Sequence, residues 1–411
     1  MFPVSFAQRR LWFLNRLTET GSAYNCPLAV RLTGPLDHTA LAAALADLAE
    51  RHELLRSVFP EVDGEPVQRV LDAGPRTPAL VVAERTEGEL AATLAAAAGH
   101  VFDLTSELPV RAELFVLGPQ EHVLSLVIHH IATDGWSWGP LLRDLAQAYA
   151  ARAAGERPGW EPLPLRYVDY TLWQQELLAD ADELVDFWTG ELADLPAELA
   201  LPFDRPRPAV ASYAGGSVPV ALDAELHERL VAVAREHGCT LFMVLQAGLA
   251  VLLSRLGAGE DIPLGTPVAG RGDEALDELV GFFVNTLVLR TDLSGDPSFA
   301  EVLGRVREWD LAAYEYQELP FERVVEALNP ERSLARHPLF QVMMTLESGA
   351  GLALTLPGVE SSEQPMGWDI AKFDLTVDFH ERRDEQGLPL GIGGALEYAV
   401  DLFDRETVES I

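Results

Sequence analysis

Segments with helical spacing alternate with short β-rich runs along both halves of this chain, and that alternation most restricts what it can fold into. In the first half Leu41, Leu45, Leu48 and Leu55 recur at helical spacing through LAAALADLAERHELLR, which passes into SVF and a turn at Asp63-Gly64. Residues 109–117 (PVRAELFVL) and 121–128 (EHVLSLVI) are rich in β-branched and large apolar residues and are separated by Gly118-Pro119, so they read as strands. A helix follows from Gly139-Pro140, with proline near its first turn and Gly155 beyond its end. In the second half, 223–256 reads as two apolar-faced helices, 261–268 and 282–290 as strands, and 299–315 as a helix. Residues 337–346 and 373–379 read as late strands. The pattern predicts a mixed α/β fold with a sheet and flanking helices in each half, without a sequence repeat.

At 411 residues the chain is too long for one ordinary core, and two domains of roughly 150–200 residues each are expected. The Pro/Gly-rich stretch 156–164 and the PFDRPRP segment at 202–208 bracket the boundary, placed near residue 176, giving domains 1–176 and 177–411. A content of 48% hydrophobic and 8% aromatic residues excludes extended disorder. The net charge of −34 excludes a nucleic-acid or anionic-membrane partner, because the phosphates would be repelled. Lys372 is the only lysine, so P-loop and Schiff-base chemistry lack their residue almost everywhere. Cys26 and Cys239 stand far apart with no CxxC spacing, which fits a reducing compartment. The N-terminus lacks the order of a signal peptide, and the apolar stretch 241–256 is interrupted by Gln246 and Ser254 and shorter than a membrane span. A soluble, cytoplasmic, monomeric domain is the expectation.

The sharpest chemical signal is His129-His130-Ile131-Ala132-Thr133-Asp134-Gly135, directly after LSLVI. A histidine at a strand end is held rigidly yet can reach a cleft, and a neutral imidazole accepts a proton near physiological pH. Asp134, four residues on, can orient an imidazole or pair with an arginine. No third ligand stands at metal-site spacing, so no metal is expected. Alone, the motif assigns no function, because a histidine pair at a strand end is more often structural than catalytic.

The segment HHIATDGWS resembles the HHxxxDG signature of nonribosomal peptide synthetase condensation domains, relatives of chloramphenicol acetyltransferase. Six further blocks resemble that family's, in its order: SFAQRRLWFL (5–14), RHELLRSVF (51–59), YVDYTLWQ (167–174), VGFFVNTLVLR (280–290), YQELPFE (316–322) and RSLARHPL (332–339). The resemblance implies two acyltransferase-like halves set in a V around a central tunnel. It also implies amide-bond formation between thioesters borne on the phosphopantetheine of donor and acceptor peptidyl carrier proteins, beside an adenylation domain. The domain itself would bind no cofactor. By carry-over His130 is catalytic, as general base or as a hydrogen-bond acceptor that positions the amine, and His129 supports it from behind. Asp134 pairs with Arg271, which ends the GTPVAGR segment (265–271). Gly135, lacking a Cβ, admits a pantetheine arm, or is simply a turn glycine.

Asn285, Trp136 and Ser137 are candidate substrate-contacting residues, although Trp136, like Trp12 and Trp173, also reads as a core aromatic. Arg51, His52 and Arg56 are expected to be structural at a helix end, with Arg56 paired to an acid. The opening blocks resemble the subtype that joins an L-configured donor to an L-configured acceptor. Family members continue somewhat further than Ile411, so the resemblance implies a domain cut short of its end.

Two rival classes remain. Gly135-Trp136-Ser137-Trp138-Gly139 fits the GxSxG nucleophile elbow of a hydrolase or thioesterase, but Ser137 lies several residues beyond the expected strand end, where an elbow would not place it. A recruitment module of the same fold is the other, and the intact His129-His130 and Gly135 argue against a degenerate site.

Overall fold

The computed structural model describes residues 1–17, 21–74, 77–348 and 353–411. The chain forms two compact units that interleave in sequence. One comprises Met1–Asp180, Ala269–Val284 and Gly351–Trp368; the other comprises Ala181–Val268, Asn285–Ala350 and Asp369–Ile411. The expected cut at residue 176 falls inside the helix Tyr167–Leu177 rather than in a linker. No single cut can separate units that exchange segments twice.

The first unit is built on a five-stranded sheet in the order Glu360–Glu363, Asn25–Thr33, Glu121–His129, Val110–Gly118, Leu80–Glu84. All its pairings are antiparallel except the last, which is parallel. Glu121–His129 lies in the middle, and every residue from His122 to His129 is buried. A strand buried on both faces reads as a continuous apolar run, as this one does. The helices His38–Arg51 and Trp138–Ala153 pack together beside it, and Leu41, Leu45, Leu48, Leu141 and Leu145 fill one core with Leu124, Leu126 and Ile128. Asp37 caps the first of these helices by accepting from the backbone N–H groups of Thr39 and Ala40.

The polar groups of the RHELLR block are structural, as expected. Arg51 and His52 both reach Asp144 at 2.8 Å, and burial pushes the His52 imidazole pKa down. Arg56 bonds Glu53 at 3.3 Å and the Ala49 carbonyl at 3.0 Å.

The second unit carries a six-stranded mixed sheet: Asn285–Asp292, Asp261–Val268, Val342–Ser348, Leu375–Arg383, Pro389–Ala399, Gly215–Leu222. Its helices include Ala224–His237, Leu241–Leu253 and Phe299–Glu315. The apolar segment continues as helix to Ala258, so over 18 residues it is long and apolar enough to cross a membrane. Val244, Ala247, Ala250 and Leu253 nevertheless pack into this unit's core.

Gln246, on that helix, is buried and donates from Nε2 to the buried Asp310 at 3.1 Å. Burial pushes the Asp310 carboxyl up to about 7. A folded-state pKa above the unfolded value means that the folded state holds the extra proton. Stability therefore declines as pH rises from about 4 and levels off above about 7, by at most about 4 kcal/mol for a shift of this size. Asp310→Asn should flatten that decline, leaving the share of Glu397, which is also raised to about 7. Melting temperatures at mildly acid and mildly alkaline pH check this; an unchanged pH slope in the variant contradicts it.

Candidate active site

The central strand of the first unit ends at His129, and the chain turns at once into a single 3₁₀ turn, His130–Ala132. His129 is fully buried, and its Nδ1 accepts from the Ile131 backbone N–H at 3.1 Å, so its proton sits on Nε2. Its ring meets Phe102 edge-on at 6.1 Å. It is packed between its own loop and Phe102. His130 is half-buried, and its Nδ1 lies 2.7 Å from the Thr133 carbonyl oxygen. A carbonyl can only accept, so Nδ1 carries a proton, and in the neutral ring Nε2 holds the lone pair. Phe282 lies against the ring at 4.6 Å. One backbone oxygen thus fixes both the tautomer and the ring orientation that a proton acceptor needs.

Asp134 is completely buried and holds the loop from below. Its Oδ1 accepts from the Ser137 backbone N–H at 2.8 Å and lies 3.4 Å from Arg271 Nη2. Its Oδ2 accepts from the backbone N–H groups of Phe283 at 2.9 Å and Val284 at 3.3 Å. Arg271 is itself buried, donates to the carbonyls of Leu276 and Leu279, and lies over the Phe283 ring at 4.2 Å. The expected Asp134–Arg271 pair is therefore present, but the carboxylate is mainly a backbone clamp. That role also explains why the strand expected from Phe282 starts only at Asn285: the N–H groups of 283 and 284 bond Asp134 instead of a neighbouring strand.

Residues with no evident chemistry complete the frame. Gln8 donates from Nε2 to the Ile131 carbonyl at 3.0 Å. Tyr167 is fully buried, and burial raises its phenol pKa well above the usual range. Its hydroxyl donates to the Phe282 carbonyl at 2.7 Å and sits 3.0 Å from Ser5 Oγ. Gly281 passes so close to Tyr167 that a Cβ would lie 2.4 Å from the ring. The blocks at 5–14, 167–174 and 280–290 therefore converge on the HHxxxDG loop. The roles of Gln8, Tyr167 and Gly281 could not be read from residue type; the only sequence signal was the blocks' co-occurrence.

Several expected roles change. Ser137 is fully buried. Its Oγ lies 2.7 Å from Asp134 Oδ1 and 2.9 Å from the Gly281 carbonyl oxygen, either of which can take its one hydrogen, and it accepts from Gly281 N–H at 3.1 Å and Arg271 at 3.0 Å. A serine so enclosed, with a carboxylate and an arginine but no imidazole on it, is no elbow nucleophile, and it offers no substrate contact. Asn285 spends its amide on backbone: Nδ2 donates to the carbonyls of Gln317 and Leu319, both at 2.8 Å, and Oδ1 accepts from Phe321 N–H at 2.9 Å and Thr286 N–H at 2.8 Å. Both of its donors are taken, so it anchors its own unit. Trp12 is buried as expected, but Trp136 is 46% and Trp173 49% exposed, so neither is a core aromatic.

The Gly135 backbone lies outside the left-handed region, so the turn does not require glycine, and a Cβ there would meet nothing within 4 Å. The space beside it is open. Among the described residues no cluster of His, Cys, Asp and Glu could hold a metal ion.

Comparison with known proteins gives the family. The family described as "Condensation domain" matches residues 1–411. The chain is 54% identical over 417 residues to a probable non-canonical nonribosomal peptide synthetase of Salinispora arenicola (strain CNS-205), and 53% identical over 416 residues to a dimodular nonribosomal peptide synthase of Bacillus subtilis (strain 168). Both alignments take in 100% of this chain but only 5% and 18% of those much longer proteins. Among solved structures it is similar to the X-domain in its complex with OxyB from teicoplanin biosynthesis. The two share 40% identity with a TM-score of 0.93, over 100% of this chain and 90% of that one. A mixed α/β fold in two interleaved units, an ordered histidine at a central strand end and a family match along the whole length lead to one assignment: the chain belongs to the condensation-domain family of nonribosomal peptide synthetases.

Proposed function

We propose that this domain forms an amide bond by aminolysis of a thioester, with His130 as the group that receives the attacking amine. The observation that carries the reading is the 2.7 Å contact from His130 Nδ1 to the Thr133 carbonyl, which makes Nε2 the acceptor atom of the neutral ring. The donor is an aminoacyl or peptidyl thioester on the phosphopantetheine of one carrier protein, and the acceptor is an aminoacyl thioester on another. The acceptor amine nitrogen bonds to the donor carbonyl carbon, the carbon–sulfur bond breaks, and the amine's proton ends on the departing thiolate. The donor carrier is left as a free thiol and the lengthened chain stays on the acceptor. Nothing in this balance calls for a metal or nucleotide, and phosphopantetheine arrives with the carriers. A neighbouring adenylation domain would load them, in the cytoplasm. The open space beside Gly135 supports entry of the donor arm at that point.

Mixing the domain with two loaded carrier proteins tests this: dipeptide on the acceptor carrier is expected by mass spectrometry. Donors of L and D configuration decide the subtype, with the L-configured donor expected to be used.

One observation favours a second reading. The X-domain, 40% identical, is described in complex with OxyB, so a similar domain binds a partner protein, and recruitment is the second reading for this chain. Absence of dipeptide from correctly loaded carriers, with a well-folded domain, favours that reading over catalysis.

A further inference from the structure

The six-stranded sheet of the second unit has two faces of opposite character. Val342, Met344, Leu375, Val377 and Leu396 turn into the core. Side chains alternate along a strand, so Thr345, Thr376, Asp378 and Glu397 share the other face. The register sets Asp378 beside Thr345, Thr376 beside Glu397, and Glu397 beside Ser217. Thr345 Oγ1 donates to Asp378 Oδ1 at 2.7 Å. Toward Gly215–Leu222 the neighbouring positions on this face are small, Pro219, Gly393 and Ala395, while Met343 stands beside Thr376 on the other side.

Three features make this more than a patch of acid. Thr376 is only 9% exposed, yet its hydroxyl has no hydrogen-bond partner among the described residues, and its register partner is Glu397. No ion pair holds Asp378 or Glu397 among the described residues. The charged groups that act on the two are Asp369, Glu347, His380 and Lys372, the chain's single lysine, so carboxylates outnumber cations. Burial first, and mutual repulsion second, raise Glu397 to about 7, and burial raises Asp378. Two desolvated carboxylates and a hydroxyl without a partner among the described residues share one face, an arrangement that a cation would complete.

We propose that Asp378, Glu397 and Thr376 form a recognition site for a primary ammonium group carried by a substrate, a specificity that rests on the condensation reading above. Three oxygen acceptors match the three N–H donors of an ammonium. A bound cation favours the ionised carboxylates, so binding releases protons and affinity rises with pH through the region near 7. The ammonium belongs either to an α-amine or to a basic side chain, and the test separates them.

Chemical-shift titration of the threonine methyls of the 411-residue chain provides the readout. The probes are glycinamide, which has only an α-amine, and Nα-acetyl-ornithine methylamide, which has only a side-chain amine. Nα-acetyl-norvaline methylamide is the uncharged control. Saturable shifts at Thr345 and Thr376 are expected with one charged probe and not with the control. Affinity should be roughly tenfold weaker in the double variant Asp378→Asn/Glu397→Gln, since charge-assisted hydrogen bonds are lost. In the native chain it should strengthen from about pH 5.5 to about pH 7.5. Response to neither charged probe, equal affinity in the variant, or no strengthening over that pH range overturns the proposal. Should the variant fold poorly, the pH series on the native chain still decides. Failure of dipeptide formation sinks the condensation reading and leaves this titration untouched, whereas loss of response with dipeptide intact sinks only the ammonium site.

Discussion

His130→Ala is expected to slow dipeptide formation by roughly 10²–10⁴-fold, the range set by a positioned proton acceptor, without unfolding the domain. The side chain is half-buried, and its Nδ1 bonds a carbonyl of its own loop. The loop itself is held by Asp134, Gln8 and the Ile131–His129 contact, none of which uses the His130 ring. Circular dichroism and melting temperature should therefore stay close to native while turnover collapses. An amine is already a good nucleophile toward a thioester, and alignment alone can contribute effective molarities of about 10⁵ M or more. His130→Gln separates the two roles, because an amide can accept a hydrogen bond but cannot take the proton. Substantial rescue by glutamine assigns positioning; none assigns proton transfer. Near-native turnover in the alanine variant removes His130 from the mechanism.

Asp134→Ala should instead cost the fold first, on the order of 3–5 kcal/mol, as when one partner of a buried ion pair is removed. The substitution strands the buried Arg271 guanidinium and leaves the N–H groups of Phe283 and Val284 without their acceptor. Against a typical total of about 5–15 kcal/mol, such a loss should appear as reduced soluble yield and a clearly lowered melting temperature. Asp134→Asn keeps the shape and one acceptor oxygen and should fall between. A well-folded, merely slow Asp134→Ala variant would show that the carboxylate acts in the chemistry and not as a clamp.

These contrasts show which parts of the fold and site were legible in residue order. The strand leading to His129 was legible because a strand buried on both faces is apolar throughout, and 299–315 matches the observed helix because Ser298 and Glu301 form its capping box. Pro389–Ala399, which pairs with Leu375–Arg383 on one side and Gly215–Leu222 on the other, was not read as a strand. Three of its residues are glycines, which lower β propensity; at Gly394, with φ of +148°, any side chain would strike the Asp378 carbonyl. The Asp134–Arg271 pair came from resemblance, and the geometry supplied what resemblance lacked: the carboxylate's backbone partners. Asn285 and Ser137 misled because polar residues near a motif look alike in sequence whether they face a substrate or a backbone amide. Trp136 and Trp173 misled because a large aromatic carries no local mark of exposure.

The interleaving of the two units bears on recombination between synthetases. A crossover near residue 180 would inherit the motif loop from one parent, while Arg271, Gly281 and the amides of 283 and 284 came from the other. Such a hybrid would join a carboxylate to a cradle shaped for a different sequence, across the best-buried polar contacts of the loop. Exchanges that carry 1–180 together with 269–284 and 351–368 keep that cradle with its parent and should yield more folded protein.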